Sequence, residues 1–417
     1  MPPSGFSRRS FLGSSVASAA LLAAGAGVFS RAQAKSVRAL AEPAERKLKI
    51  LILGGTGFLG PACIDAALAR GHTLTLFNRG KTEERRKQAG RDSVVPDGVE
   101  VLYGNRDPNK TAGDENGQPA TAEPDPASPK GLSALEGKTW DGVIDTSGYW
   151  PRMVRASASL LAPNVKQYVF ISTLSVYAKN DTPDKAEDAE LATLTNPETE
   201  DFGAQFENYG AGKAACEKAA EEAMPGRVTN VRPGFIVGPR DPSRRYMYWP
   251  VRASRGGDMI VPGKPGDPFQ FIDVRDLAEF IVHCLENGTV GAFNTVTPAR
   301  SLTMENMVLG CTAAAKSLGD TPATPTWLPA DFLQANAMGT ERFPLWIPPE
   351  GEAAGFHQRS SAKAVAAGLK FRSPEDTAKV TLAFYKTLPP QLQERMLPPM
   401  VDPAEEARLI KLYSEKK

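Results

Sequence analysis

Leu48-Lys49-Ile50-Leu51-Ile52-Leu53-Gly54-Gly55-Thr56-Gly57-Phe58-Leu59-Gly60 is the stretch that decides how this chain folds. Leu48 to Leu53 is mostly apolar, as a buried strand is, and it runs into a glycine-rich turn that opens the amphipathic stretch Pro61 to Arg70. Strand, turn and helix start, in that order, make the phosphate cradle of a dinucleotide site. Gly54 permits the tight turn, Gly57 lets the backbone approach a pyrophosphate, and Gly60 lets helix and strand pack closely. Around Phe58 and Leu59 the helix begins, and its free amides face the phosphates. In a chain with 37 glycines a lone G-x-x-G-x-x-G would be a surface turn; its position between strand and helix gives it meaning. A nicotinamide site limits the chemistry to hydride transfer, or to reactions that pass through it.

Composition narrows the choice further. The chain has 417 residues, 41% apolar and 23% charged, enough for a sizeable core in one large or two intimate domains. With 49 basic and 48 acidic residues the net charge is +1, so charge offers no argument for nucleic acid. Four cysteines, at 63, 216, 284 and 311, show neither zinc nor disulfide spacing and are expected as small buried hydrophobes. Three histidines are too few for a histidine-rich metal site, and no metal is expected.

The N-terminus carries a different signal. Ser7-Arg8-Arg9-Ser10-Phe11-Leu12-Gly13 resembles a twin-arginine export signal, followed by an apolar stretch from Val16 to Phe29. That stretch is shorter than the roughly 20 residues a membrane span needs. Ala32-Gln33-Ala34 supplies a cleavage site, which makes residues 1–34 a signal peptide, Lys35 the mature start and 35–47 a linker. The resemblance implies a folded protein, loaded with its cofactor, handed to the twin-arginine export machinery for a periplasmic or extracellular destination.

From residue 48 onward, strand and helix patterns alternate, which predicts a parallel sheet covered on both faces. Strands are expected at Leu74 to Phe77, Val99 to Tyr103, Val143 to Asp145, Tyr168 to Ser172 and Val228 to Arg232, with a helix from Tyr209 to Met224. Residues 108–130 are rich in Pro, Asp, Glu and Gly, cannot bury enough apolar surface to fold, and form a surface insertion. Residues 48–235 thus make the nucleotide-binding domain. Beyond Pro233, frequent prolines and glycines suit a smaller, irregular substrate-binding part over 236–417. It holds a helix from Asp276 to Glu286, a strand from Ala292 to Val296, a helix from Thr303 to Leu318, and charged helices from about Glu375 that pack on the outside.

A reactive constellation stands out in the middle. Ser172, Thr173 and Ser175 place hydroxyls at a strand end, where such sheets bind ligands. On the next helix Tyr209 and Lys213 lie four residues apart on one face. A tyrosine with a pKa near 10 is a poor base at neutral pH, but a neighbouring ammonium favours the phenolate. Such a phenolate can take a proton from a substrate hydroxyl while the adjacent carbon gives up hydride. A second Tyr-x-x-x-Lys, Tyr413 and Lys417, ends the chain and follows no hydroxyl-bearing strand.

With these motifs in this order, the chain resembles an extended short-chain dehydrogenase/reductase of the NAD-dependent epimerase/dehydratase family, over most of residues 48 to 300. The resemblance implies a Rossmann-like, doubly wound parallel sheet. It implies cofactor contacts at Gly54, Gly57 and Gly60, and catalytic roles for Thr173, Tyr209 and Lys213, with Lys213 also touching the cofactor. Arg232 to Pro239 resembles the segment that leads to the substrate pocket, and Phe271 to Ala278 the later Asp-Val-x-Asp element, in which Asp276 is a helix cap. Asp107 falls where the family contacts adenine, and Ser147 with Gly148 where ribose and nicotinamide pass.

Two departures are informative. Thr173 and Tyr209 are separated by an acidic stretch, Asp181 to Asp201, long enough to form a lid. The second strand ends in Asn78-Arg79 without the carboxylate that binds an NAD ribose, and Arg79 can pair a 2′-phosphate, which favours NADP over NAD. The expected function is an exported NAD(P)-dependent epimerase- or dehydratase-like enzyme acting on a sugar or polyol, with a tightly bound cofactor; a homodimer is left open. The alternatives are a reductase or dehydrogenase with a diffusing cofactor, and a non-catalytic member of the fold that binds RNA, suggested by Asn78-Arg79-Gly80.

Overall fold

A computed structural model describes residues 42–88, 90, 92–110, 130–339, 342–396 and 401–416. The export signal, most of the 108–130 insertion and Lys417 lie outside these residues.

The first half alternates strand and helix: β1 (Lys49–Leu53), α1 (Leu59–Ala69), β2 (Thr73–Asn78), α2 (Lys81–Gln88), β3 (Glu100–Tyr103), β4 (Trp140–Asp145), α3 (Pro151–Leu161), β5 (Val165–Ile171), α4 (Tyr209–Ala223) and β6 (Val228–Pro233). The second half adds β7 (Ile236–Val237), α5 (Tyr248–Ala253), β8 (Asp258–Pro262), β9 (Ile272–Asp273), α6 (Val274–Asn287), β10 (Gly291–Thr295), α7 (Met304–Ser317), β11 (Thr324–Leu328) and α8 (Ala330–Ala335). It closes with α9 (Ala362–Ala366), α10 (Pro374–Lys386), α11 (Pro390–Met396) and α12 (Pro403–Ser414).

Seven of these strands form one sheet in the order β10-β6-β5-β4-β1-β2-β3, with every ladder parallel. Apolar runs make this possible, since strands covered on both faces have no side to give to water. Ile50 to Leu53 are completely buried. On one face α1 and α6 pack Cys63, Ile64, Leu277 and Ile281 against the sheet; on the other, α3 and α4 bury Val154, Ala158, Cys216 and Ala220. The chain runs outward through β2 and β3, then returns to the opposite side of β1 as β4. This reversal opens a crevice at the carboxyl ends of β1 and β4, where ligands of such sheets bind.

A second core gathers Trp249, Phe269, Phe271, Met307 and Trp346 around the parallel pair β8-β11. Here the expectation of peripheral C-terminal helices needs correction. Thr377, Ala378, Thr381, Leu382 and Phe384 of α10 are all buried. At Gly310 of α7 a Cβ would lie 2.7 Å from the Pro374 side chain, so α7 and α10 approach too closely for any larger residue there. The cap of α6 also moves: Asp273 caps it by accepting from the Arg275 amide at 2.8 Å, while Asp276 accepts from the Arg372 amide and pairs with its guanidinium. All four cysteines are free and buried, as expected of small hydrophobes.

Candidate active site

The glycine turn after β1 has three distinct geometries. Gly54 adopts φ +88°, a conformation in which side chains are strained, and a Cβ there would lie 2.7 Å from that of Ser147. Gly57 has only a backbone oxygen 4.0 Å from its would-be Cβ, so the cradle is open at the position where a pyrophosphate approaches. Gly60 is closed in: its Cβ would meet the Gly55 carbonyl at 2.4 Å, which is how α1 seats against the turn. Phe58 starts α1 without a side-chain cap, leaving the first amides to a ligand, and Leu59 is buried in the core below. Open cradle and uncapped helix fit a dinucleotide.

Other predicted cofactor residues take varied positions. Asn78 is buried at the end of β2, and its Nδ2 has no hydrogen-bond partner among the described residues. Arg79 is exposed and has an interaction of its own. The Ser147 hydroxyl donates to the Leu53 carbonyl at 3.2 Å, so it ties β4 to β1. Asp107 accepts two bonds from Arg152, at 3.0 and 3.1 Å, and one from the Asn109 amide. The guanidinium holds this carboxyl below the usual carboxylate range. Beneath them lies a network that sequence reading missed. Asp145 is completely buried, pairs with Arg106 at 2.8 Å, accepts from the Tyr168 hydroxyl at 2.6 Å and holds the Ser147 amide at 3.0 Å.

The three catalytic candidates come together. Thr173 caps a short turn, accepting from the Ser175 amide at 3.1 Å, and shares a hydrogen bond with the Tyr209 hydroxyl. Tyr209 begins α4. Its neighbour Gly210 explains the register, because a Cβ at 210 would sit 2.0 Å from the Ser175 carbonyl. Only glycine lets the helix start lie against that turn. Lys213, one turn on, is buried and donates to the Gly148 and Ile171 carbonyls at 2.7 and 2.6 Å. Its ammonium also lies 4.1 Å from the Phe170 ring centroid. Burial raises the Tyr209 phenol well above its usual range and lowers Lys213. Ser172 plays no part in this group: it donates to Glu217 at 2.5 Å, and Glu217 pairs with Arg232 at 2.7 Å behind the site.

The acidic stretch forms a strap rather than a free flap over most of its length. Ala178 and Ala192 amides bond to Glu190 and Val176 carbonyls, and the Glu187 carboxylate accepts from the Asn294 amide at 2.8 Å. At its end Phe202 stacks between Trp150 and Phe206, with centroids 4.6 and 5.5 Å apart, and presents its ring to the edge of Tyr209 at 5.6 Å. Arg152 joins Glu200 of this strap to Asp107. A second missed residue is Arg245, whose guanidinium lies 4.8 Å from the Phe235 ring centroid and whose charge acts on both Asp241 and Tyr209. Nothing in its spacing from Tyr209 announced this proximity. Gly234 lies against Leu174, which brings that segment to the turn that follows Thr173.

A doubly wound parallel sheet with an open glycine cradle, and a Thr-Tyr-Lys group beside its switch point, defines a Rossmann-like fold. Residues 146–295 match the NAD dependent epimerase/dehydratase family. Epimerase family protein SDR39U1 of Bos taurus is 26% identical over 339 residues, 79% of this chain and 97% of the relative. The chloroplast stem-loop binding protein of 41 kDa b of Arabidopsis thaliana is 26% identical over 282 residues, 66% of this chain and 65% of the relative. These matches are a likeness to proteins of the NAD-dependent epimerase/dehydratase kind over part of the chain. The fold is shared with Bordetella bronchiseptica WbmH, solved in complex with NAD+, at TM-score 0.53 and 15% identity over 82% of this chain and 99% of that one.

Proposed function

We propose that this chain is an NAD(P)-dependent enzyme of the epimerase/dehydratase kind, which transiently oxidises a hydroxyl-bearing carbon of a sugar or polyol. The observation that carries this reading is the convergence of Thr173, Tyr209 and Lys213 at the switch point, beside an open glycine cradle. Gly54, Gly57, Gly60 and the start of α1 would hold the pyrophosphate, and Lys213 would hold the ribose next to the nicotinamide. When bound, the cofactor supplies a hydride acceptor and donor.

The remaining steps belong to the chain's own residues. Thr173 orients the substrate hydroxyl, and the Tyr209 oxygen takes its proton and later returns it. Burial alone would keep the phenol protonated, so nearby positive charge has to oppose it. Arg245 provides that charge, and the hydrogen bond with Thr173 acts in the same direction. The Phe202 ring packs edge-on with the Tyr209 ring and helps to fix its orientation.

The Arg8-Arg9 signal supports an exported enzyme, which cannot draw on a pool of free dinucleotide. Such an enzyme retains its cofactor and regenerates it each turnover, which favours redox-neutral chemistry over a diffusing-cofactor reductase. Purification of the mature chain followed by denaturation and mass spectrometry tests this: close to one dinucleotide released per chain is expected. A chain that carries none and binds none removes the proposal. A second reading, a nucleic-acid-binding role, draws on Asn78-Arg79-Gly80 and on the stem-loop binding relative. The balanced charge weighs against it, and saturable, salt-sensitive binding of a stem-loop RNA would be needed to revive it.

A further inference from the structure

A cavity of about 140 Å³ opens at the carboxyl end of β2. Thr56 of the glycine turn lines it, so it begins where the pyrophosphate cradle ends, and Asn78, Gly80, Glu83, Ser93 and Tyr103 complete the part that matters here. Asn78 brings its buried, unpartnered Nδ2, a donor that needs an oxygen the described residues do not supply. Glu83, in the first turn of α2, is held in place: Oε2 accepts from Ser93 Oγ at 2.5 Å and Oε1 from the Val94 amide at 3.4 Å. An ionised carboxylate has about four acceptor sites, so both oxygens keep lone pairs for a ligand. Arg79, the residue expected to pair a 2′-phosphate, does not line this cavity, nor do Lys81, Arg85 or Arg86. Arg86 is buried and donates to the Asp92 carbonyl at 2.7 Å. The carboxylate missing from the end of β2 is thus supplied one helical turn later, from α2.

We propose that Glu83 sets the dinucleotide selectivity: its carboxylate accepts the adenosine 2′-hydroxyl and repels a 2′-phosphate, so the chain takes NAD(H) in preference to NADP(H). The Asn78 amide donates to the ribose from the floor of the same cavity. This inference rests on the dinucleotide reading above and reverses the preference that Arg79 suggests in sequence. A phosphate placed here would set two negative groups in contact at a partly desolvated site, where repulsion is strongest.

Calorimetric titration of the nucleotide-depleted mature chain with NAD+ and with NADP+ tests it. A Kd for NAD+ about tenfold or more below that for NADP+ is expected, as one like-charge contact at a partly desolvated site implies, with the Arg86 guanidinium acting on the same carboxylate. Glu83→Gln, neutral and nearly isosteric, should bring the two constants to within about threefold of each other, mainly by tightening NADP+. An unaltered chain that binds NADP+ as tightly as NAD+, or more tightly, overturns the inference whether or not the variant folds. So does an unchanged ratio in a Glu83→Gln chain whose circular dichroism matches the parent. A chain that binds neither dinucleotide overturns the dinucleotide reading itself, a different result from a wrong preference.

Discussion

Tyr209 has the oxygen on which the proposed chemistry depends. Tyr209→Phe removes the proton acceptor while keeping the ring that packs on Phe202, so turnover should fall by about 10²- to 10⁴-fold with dinucleotide affinity unchanged. Unchanged turnover of a substrate would take catalysis away from this residue. Arg245 provides a subtler test. Its cation favours the phenolate, so in Arg245→Ala the ascending limb of the kcat against pH profile should move to higher pH. A merely structural role would lower kcat without moving that limb. The Tyr-Lys pair was legible in sequence because two residues four apart share a helix face whatever surrounds them. Arg245 was not, since 36 positions separate it from Tyr209 and only the folded chain brings its charge to bear on the phenol.

Among the elements, two glycines decide where helices begin. Gly60→Ala would force a methyl to within 2.4 Å of the Gly55 carbonyl, and Gly210→Ala to within 2.0 Å of that of Ser175. Each should destabilise the fold by roughly 1–3 kcal/mol, as overpacking of rigid backbone does. Their functional signatures should differ. Gly60→Ala should weaken dinucleotide binding, while Gly210→Ala should retain binding and lose turnover, because Tyr209 is displaced from Thr173; titration and rate measurement on both chains separate these outcomes. The six leading strands of the sheet were visible in sequence from the alternation of strand and helix patterns, the fourth and fifth from nearly continuous apolar runs. Helices α2 and α3 and the β8-β11 pair were not picked out. α2 is almost wholly charged, and prolines interrupt the segments around β8 and β11, so neither shows the periodicity of a buried element.

Across the whole molecule, the buried group whose titration bears most on stability is His357, packed against Phe235, Phe269 and Phe356 of the second core. It is buried, accepts from the Gln270 amide at Nδ1 (3.1 Å) and lies 2.8 Å at Nε2 from the Leu345 carbonyl, which requires the neutral Nε2–H tautomer. Burial lowers its pKa from 6.5 to about 4. The unfolded chain therefore takes up a proton as pH falls through 6.5, whereas the folded chain does so only near 4. Stability is fully present above 6.5 and is lost as pH drops towards 4, by about 3 kcal/mol for this one group. Asp276, raised to about 6 chiefly by burial, works in the opposite sense and gains stability over part of the same range. Comparison with His357→Gln isolates the histidine: the variant should melt lower at pH 7 but show a shallower fall in Tm between pH 6.5 and 4.5. An equal slope in both chains would rule out the assigned role.

What the amino-acid order determined alone were features of short range: the strand-turn-helix of residues 48 to 60, the alternation that builds a parallel sheet, the hydroxyl at Thr173 and the shared face of Tyr209 and Lys213. Each depends on backbone geometry within a few residues, which composition and spacing specify directly. Tertiary structure decided the rest: that Asp107 is clamped by Arg152, that Ser172 serves Glu217, that Phe202 packs on the tyrosine, and that Glu83 rather than Arg79 lines the cavity beside the glycine turn. These are contacts between segments whose separation along the chain carries no information about distance. They exist because the sheet reverses its winding between β1 and β4 and brings the ends of separate strands to one crevice.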